Sequence, residues 1–245
     1  MADVEAAIFD LDGTVMLTLD LQQAVWRDVF NEYLRGSQRA MDTPDYRAFV
    51  DGRARVDGVR TFLASRGLGL PDGGVSDPPG AATVYGLANR KTQLFRERLD
   101  HHAIRADPDA VRLVCELRRA GVRVGLASAS EDTETLVERA GIGDLFDVRM
   151  DEAASQRYQL RGKPAPDVIL KCLDLLGVKD SRRAVVFDDA TVGMEAGRAA
   201  RFGLVVGIDR GGNATALREH GADWVVSSLA EVSVQRLLEE FASRT

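Results

Sequence analysis

The stretch AAIFDLDGTV, residues 6–15, sets four apolar residues directly ahead of two aspartates, Asp10 and Asp12. A short continuous apolar run reads as a strand buried on both faces, as a covered parallel sheet requires. The carboxyl end of such a strand is where an open α/β sheet forms its ligand crevice. Two carboxylates there raise each other's pKa unless a cation or a substrate balances them. The question posed by this stretch is therefore chemical: what compensates the pair.

Working outward, RVGLAS (123–128), RAVVFDD (183–189) and FGLVVGID (202–209) read as further buried parallel strands, and ADWVVSS (222–228) as a shorter one. Between them lie helix patterns, PDAVRLVCELRRAG (108–121) and PDVILKCLDLLG (166–177), each with a Pro-Asp start and a glycine stop. TVGMEAGRAAR (191–201) is another, beginning just after a strand. This alternation predicts an α/β fold, a doubly wound Rossmann-like parallel-sheet core.

Residues 19–103 differ. LQQAVWRDVFNEYLRG (21–36), RTFLASRG (60–67) and RKTQLFRERL (90–99) are amphipathic helix patterns with no strand between them. GLGLPDGGVSDPPGAATVYG (67–86) reads as a long Gly/Pro/Asp-rich loop. The expected organisation is an α/β catalytic core, 1–18 and 104–245, with an α-helical cap domain, 19–103, inserted after the first strand.

The chain has 245 residues and a formal net charge of −6, which argues against nucleic acid and anionic membranes as partners. It contains no apolar run of the roughly 18 residues that a membrane span needs. The N-terminus lacks a basic segment followed by an apolar one, so a cytoplasmic monomer is the expectation. Cys115 and Cys172 fall in helical apolar patterns and read as reduced, buried thiols. Of the three histidines, His101 and His102 lie near the expected return from cap to core, and His220 reads as a surface helix residue. Trp224 reads as packing.

Acidic, hydroxyl and basic groups recur at the strand ends: Asp10 with Asp12, Ser128, Lys163, and Asp188 with Asp189. Taken singly, such residues also serve as turn formers, loop hydroxyls and helix caps. Taken jointly, several acids on one sheet edge call for a divalent cation, and hard oxygen donors with substrate phosphate suit Mg²⁺. Lys163 and Ser128 offer charge and a hydrogen bond to phosphate oxygens. Positioning and charge neutralisation are what phosphoryl transfer needs, and an aspartate can carry the group as an aspartyl-phosphate.

In that order, DLDGT (10–14), Ser128 in LASAS, Lys163 in GKPAPD and the acidic pair 188–189 resemble the four motifs of the haloacid dehalogenase superfamily. The resemblance implies Asp10 as nucleophile and Asp12 as general acid/base, with Ser128 and Lys163 holding the transferring group. It also implies Mg²⁺ on Asp10, the backbone carbonyl of Asp12, Asp188 and Asp189. The superfamily's dehalogenases lack an acid two residues after the nucleophile, so Asp12 points to phosphoryl chemistry.

The insert directly after the first motif resembles the helical cap of the β-phosphoglucomutase-like hydrolases. DGRARVDGVRTFLASRG (51–67) and NRK (89–91) carry that likeness. It implies Arg55 on a distal phosphate, Lys91 near the sugar, Thr18 at a hinge and Ser130 among the substrate contacts. Four positions depart from the mutase pattern: Gln22 for a histidine, Glu131 for a basic residue, Thr14 for valine, and Leu17 where aspartate is common. An acid at 131 weakens binding of a dianion unless it points away.

The expected substrate is thus a small phosphorylated metabolite, most simply a sugar phosphate. Three readings follow: isomerisation of β-glucose 1-phosphate to glucose 6-phosphate, hydrolysis by a phosphatase, or a non-catalytic sugar-phosphate sensor. A signalling receiver domain also takes phosphate on a strand-end aspartate, but it needs neither a cap nor a general acid.

Overall fold

The computed structural model describes residues 4–36, 38–101 and 103–244. Among them six strands, β1 (Ala6–Phe9), β2 (Arg123–Ala127), β3 (Val148–Met150), β4 (Ala184–Asp188), β5 (Leu204–Ile208) and β6 (Trp224–Val226), form one sheet. Their order is β3-β2-β1-β4-β5-β6, and every neighbouring pair is parallel.

β1 lies at the centre, and all four of its residues are fully buried. Because side chains alternate across a strand, Ala6 and Ile8 enter one apolar cluster while Ala7 and Phe9 enter the other. Phe9 and Phe187 are register partners on β1 and β4, and their rings stack with centroids 4.4 Å apart.

Between β1 and the rest of the sheet run α1 (Leu19–Leu34), α2 (Thr43–Phe49), α3 (Arg55–Ser65) and α4 (Val84–Leu99). The core helices follow: α5 (Pro108–Arg119), α6 (Thr133–Arg139), α7 (Glu152–Arg157), α8 (Asp167–Leu175), α9 (Thr191–Ala199), α10 (Ala214–Glu219) and α11 (Val234–Ala242). α5, α6 and α11 bury Leu113, Leu136 and Leu237 on the Phe9 face. α8, α9 and α10 bury Cys172, Met194 and Leu217 on the Ile8 face. No described helix is long and apolar enough to cross a membrane.

The helical insert is not a separate core. Trp26, Phe30, Phe62 and Phe95 belong to the cluster that holds Leu11, Val15 and Met16 of the core. The two chain crossings between insert and core lie side by side, since Leu17 donates to the Arg105 carbonyl and Asp107 to that of Val15.

Several elements differ from the sequence reading. β3 was not expected: it is a three-residue edge strand, only partly buried, too short and too polar to give an apolar run. α2 was also missed; a seven-residue helix is too short for periodicity, and its Asp42/Asp45 capping box carries the signal instead. The loop expected over 67–86 ends early, because the Thr83 side chain accepts from Gly86 N–H and starts α4 at Val84. What remains of it is tied down by Asn89, which donates to the carbonyls of Val75 and Asp77. α3 likewise begins at Arg55, ahead of the RTFLASRG pattern. Cys172 is buried as expected, whereas Cys115 is half-buried. His101 is exposed just after α4, and His102 lies outside the described residues. His220 ends α10, where its Nδ1 meets Glu195. Trp224 packs against the core, with the Arg236 guanidinium 4.9 Å above its ring.

The contact between β2 and α8 leaves no room for a side chain at Gly125, since a Cβ there would lie 2.5 Å from Cys172 Sγ. Gly125→Ala is expected to cost about 1–3 kcal/mol in urea unfolding by overpacking. The same change made on a Cys172→Ala background should cost less, because the obstructing sulfur is gone. Equal losses on both backgrounds would refute this account of the seam.

Candidate active site

Asp10 stands immediately after β1, where its N–H donates to the Phe187 carbonyl of β4 at 2.9 Å. The parallel pairing of β1 with β4 therefore carries Asp10 and Asp188, the last residue of β4, to the same sheet edge. Asp189 follows directly. Carboxylate oxygens of Asp10, Asp188 and Asp189 all lie within 4.8 Å of one another, and all three residues are buried.

The turn after β1 makes this crowding possible. Gly13 adopts φ +79°, a left-handed conformation suited to glycine, and a Cβ there would sit 2.0 Å from Asp189 Oδ2. The buried Thr14 hydroxyl donates to Asp189 Oδ1 at 3.3 Å. Asp189 Oδ2 is itself buried and has no hydrogen-bond partner among the described residues.

One cation answers the three acids. Lys163 Nζ donates to Asp10 Oδ1 and to Asp188 Oδ2, both at 2.6 Å, and reaches the Ala127 carbonyl at 3.3 Å. Burial pushes the Asp10 carboxyl up to about 8, against the pull of Lys163 and with help from Asp188. Asp189 is raised well above the ordinary carboxylate range by burial and by Asp51 and Asp188. Burial opposes the charge on Lys163, but Asp10 and Asp188 outweigh it and hold the ammonium above its usual pKa. The excess of negative charge and the orphaned oxygen of Asp189 fit a divalent metal ion with oxygen ligands.

The other expected residues surround this cluster. Asp12 is half-buried and accepts from the Thr18 hydroxyl at 2.5 Å. Ser128 is buried just past β2, its Oγ accepting from Ser130 N–H at 3.0 Å. Ser130 Oγ in turn accepts from Asp132 N–H at 3.3 Å. Asp10, Asp12, Gln22, Lys91, Ser128 and Asp189 face one cleft of about 50 Å³ beneath the helical insert. That volume holds a few water molecules and no sugar. Leu17 is exposed and does not line this cleft.

Lys91 is buried on α4, its ammonium 4.6 Å from the Phe95 ring centroid, and burial lowers its pKa. Arg55, the first residue of α3, is buried with all three guanidinium nitrogens engaged. Nε donates to Glu152 Oε2 at 3.2 Å, Nη1 to Asn89 Oδ1 at 2.8 Å, and Nη2 to Glu131 Oε1 at 3.2 Å. Glu131 therefore turns across the seam toward Arg55, and it also accepts from the Thr92 hydroxyl at 3.0 Å.

A model of the haloacid dehalogenase-like hydrolases matches residues 4–201. The chain belongs to that family. It is 39% identical over 242 residues to a β-phosphoglucomutase of Mycobacterium bovis, an alignment that covers 94% of this chain and 91% of the relative. A fructose-1-phosphate phosphatase of Escherichia coli is 28% identical over 202 residues, covering 81% and 93% of the two chains. Among solved structures, a β-phosphoglucomutase from Clostridium difficile superposes with a TM-score of 0.78 at 22% identity, over 98% of both chains. This haloacid dehalogenase-like protein is an enzyme, and its fold is that of the C. difficile structure.

Asp51, Asp132 and Glu152 also line the cleft, and none was singled out in the sequence. Asp51, pushed up to about 7 chiefly by burial, faces the site from the insert beside Tyr46. It directly precedes Gly52 in a stretch read only for Arg55. Glu152, raised by burial, follows the short β3 strand that gave no apolar signal.

Without a cation, the raised Asp10 pKa means the folded state keeps a proton that the unfolded chain releases near 3.8. Asp10 accordingly makes folding less favourable as pH rises from about 4 to about 8. Protons and cation compete for the cluster, so the rise in Tm with millimolar Mg²⁺ should grow between pH 6 and pH 9. A Tm shift that is absent, or constant across that range, would count against the cluster as a cation site.

Proposed function

We propose that this enzyme moves a phosphoryl group on a small phosphorylated sugar through an aspartyl-phosphate at Asp10, acting as a β-phosphoglucomutase on β-glucose 1-phosphate. The observation that carries the reading is the placement of Asp10. Its buried carboxylate sits against Lys163 at the cleft floor, while Asp12, two residues on, faces the same cleft. The M. bovis relative, aligned over nearly its whole length, supports the mutase assignment.

In the first half-reaction an Asp10 oxygen bonds to phosphorus as the phosphorus–oxygen bond of the donor breaks, and Asp12 protonates the leaving oxygen. In the second, Asp12 takes the proton from an acceptor hydroxyl, which attacks phosphorus and frees Asp10. The Thr18 hydroxyl orients the Asp12 carboxylate for both transfers. Ser128 and Lys163 hold the oxygens of the group in flight. Asp10, Asp188, Asp189 and the Asp12 carbonyl would hold Mg²⁺, which would further neutralise that charge. Arg55, Lys91 and Ser130 receive the distal end of the substrate.

A phosphatase is the second reading, and one observation favours it. Arg55 already carries two carboxylates, and a substrate with a single phosphate needs no second anion site. The E. coli fructose-1-phosphate phosphatase is a relative of that kind.

Phosphorus NMR separates the two readings. With Mg²⁺, β-glucose 1-phosphate and a trace of glucose 1,6-bisphosphate, a mutase yields glucose 6-phosphate without inorganic phosphate. Inorganic phosphate as the product would establish hydrolysis instead. Asp10→Asn should abolish either reaction, because an amide forms no acyl phosphate, and retained turnover would overturn the mechanism. Asp12→Asn should lower kcat by about 10²–10⁴-fold through loss of general acid–base catalysis.

A further inference from the structure

We propose that Glu131 is a resident counterion of Arg55, one that a distal phosphate displaces, and so a determinant of which substrates the cleft accepts. This inference rests on the reading that Arg55 receives the far end of a phosphorylated sugar.

The guanidinium offers five N–H donors in a planar fork, and an arriving phosphate pairs best with two adjacent nitrogens. Each nitrogen of Arg55 already holds an acceptor: Glu152 on Nε, Asn89 on Nη1 and Glu131 on Nη2. Two N–H donors remain, one on each Nη, but a dianion placed on them lies beside the Glu131 carboxylate and is repelled by it, so a phosphate seats best when a resident leaves, and burial decides which one. The Glu152 side chain is 8% exposed and the Glu131 side chain 35%. Stranding a buried carboxylate without its partner is costly, whereas a carboxylate at the cleft mouth returns to water. Glu131 also has a place to go, since Arg96 Nη2 lies 3.8 Å from its Oε2 on a side chain that is 56% exposed. Arg96 is held there by Asp132, to which its Nε donates at 2.6 Å.

These contacts cross the seam. Arg55, Asn89, Thr92 and Arg96 come from α3 and α4 of the insert, while Glu131, Asp132 and Glu152 come from loops and helix ends of the core. The pairing thus closes the cleft over a volume too small for a sugar, so the cleft must open to admit one, and a distal phosphate in place of Glu131 then ties Arg55 to the core through the substrate. A substrate ending in a neutral hydroxyl gains no such exchange and meets Glu131 as a hydrogen-bond acceptor. The departure at position 131 accordingly tunes the balance between bisphosphate and monophosphate.

Calorimetry in Mg²⁺ at low ionic strength tests this on wild type, Glu131→Gln and Thr92→Val. Thr92→Val removes one of the insert's holds on Glu131 without touching Arg55, and provides a reading if Glu131→Gln folds poorly. Glu131→Gln should bind glucose 1,6-bisphosphate about fivefold more tightly. Inorganic phosphate, which lacks the tie between the Asp10 end and Arg55, should tighten by less. Thr92→Val should move in the same direction by less. In turnover, KM for the bisphosphate should fall with little change in kcat, a split that a purely structural role for Glu131 does not produce. Amide hydrogen exchange at the start of α3 in the sugar-free protein should quicken in Glu131→Gln.

Unchanged or weaker bisphosphate binding in both variants would overturn the proposal, as would equal tightening of inorganic phosphate. If no variant binds bisphosphate, Glu131 does not control that subsite and the proposal falls. Asp10-dependent hydrolysis of a monophosphate would then show that the transfer chemistry itself stands.

Discussion

Three buried carboxylates against one buried ammonium is the constraint on which the rest of this molecule turns. Asp10 and Asp188 meet because β1 and β4 are parallel neighbours in register, so their ends coincide. Asp189 joins them only because residue 13 lacks a side chain. Lys163, arriving from the loop before α8, ties Asp10 to Asp188 but leaves Asp189 Oδ2 unpartnered. Such an arrangement lowers folding stability relative to an apolar edge of equal volume. Strain of this kind, concentrated at one edge of an otherwise well-packed sheet, is what an electrostatic catalytic site requires.

The sheet tolerates the cost because its interior is so consistently apolar. β1 is fully buried, Phe9 stacks on Phe187, and helices cover both faces. Since the apolar core of the insert runs without a break into that of the sheet, the insert is seated by packing near its crossings and by charge at its far end. Packing is non-directional and is present whatever the ligand. The charged seam is specific and exchangeable, which makes it the natural place for substrate to act.

Most of the core and its chemistry were legible along the chain. β1, β2, β4 and β5 announced themselves as apolar runs, and Asp10, Asp12, Ser128, Asp188 and Asp189 fell at or near strand ends, whereas Lys163, expected there too, reaches the same edge from the loop before α8. β3 and α2 were not legible. An edge strand of three residues and a helix of seven are too short for a hydrophobic period to emerge, and both are held by neighbours rather than by their own pattern. The start of α4 was hidden for a related reason. A single side-chain cap at Thr83 overrode a run of loop-forming residues.

By itself the sequence determined the layered α/β architecture, the helical insert and the acidic edge, because these depend on local order: which residues are apolar, and which follow them. Only the tertiary structure decided the partners. Arg55 and Glu131 are 76 residues apart, and Arg55 and Glu152 are 97 apart. From the chain alone Arg55 reads as a free cation awaiting phosphate, and Glu131 as an acid placed to repel it. Folding sets the two against each other. Coulombic pairing depends on distance in space, and no local pattern encodes a contact made across the seam between two packed units.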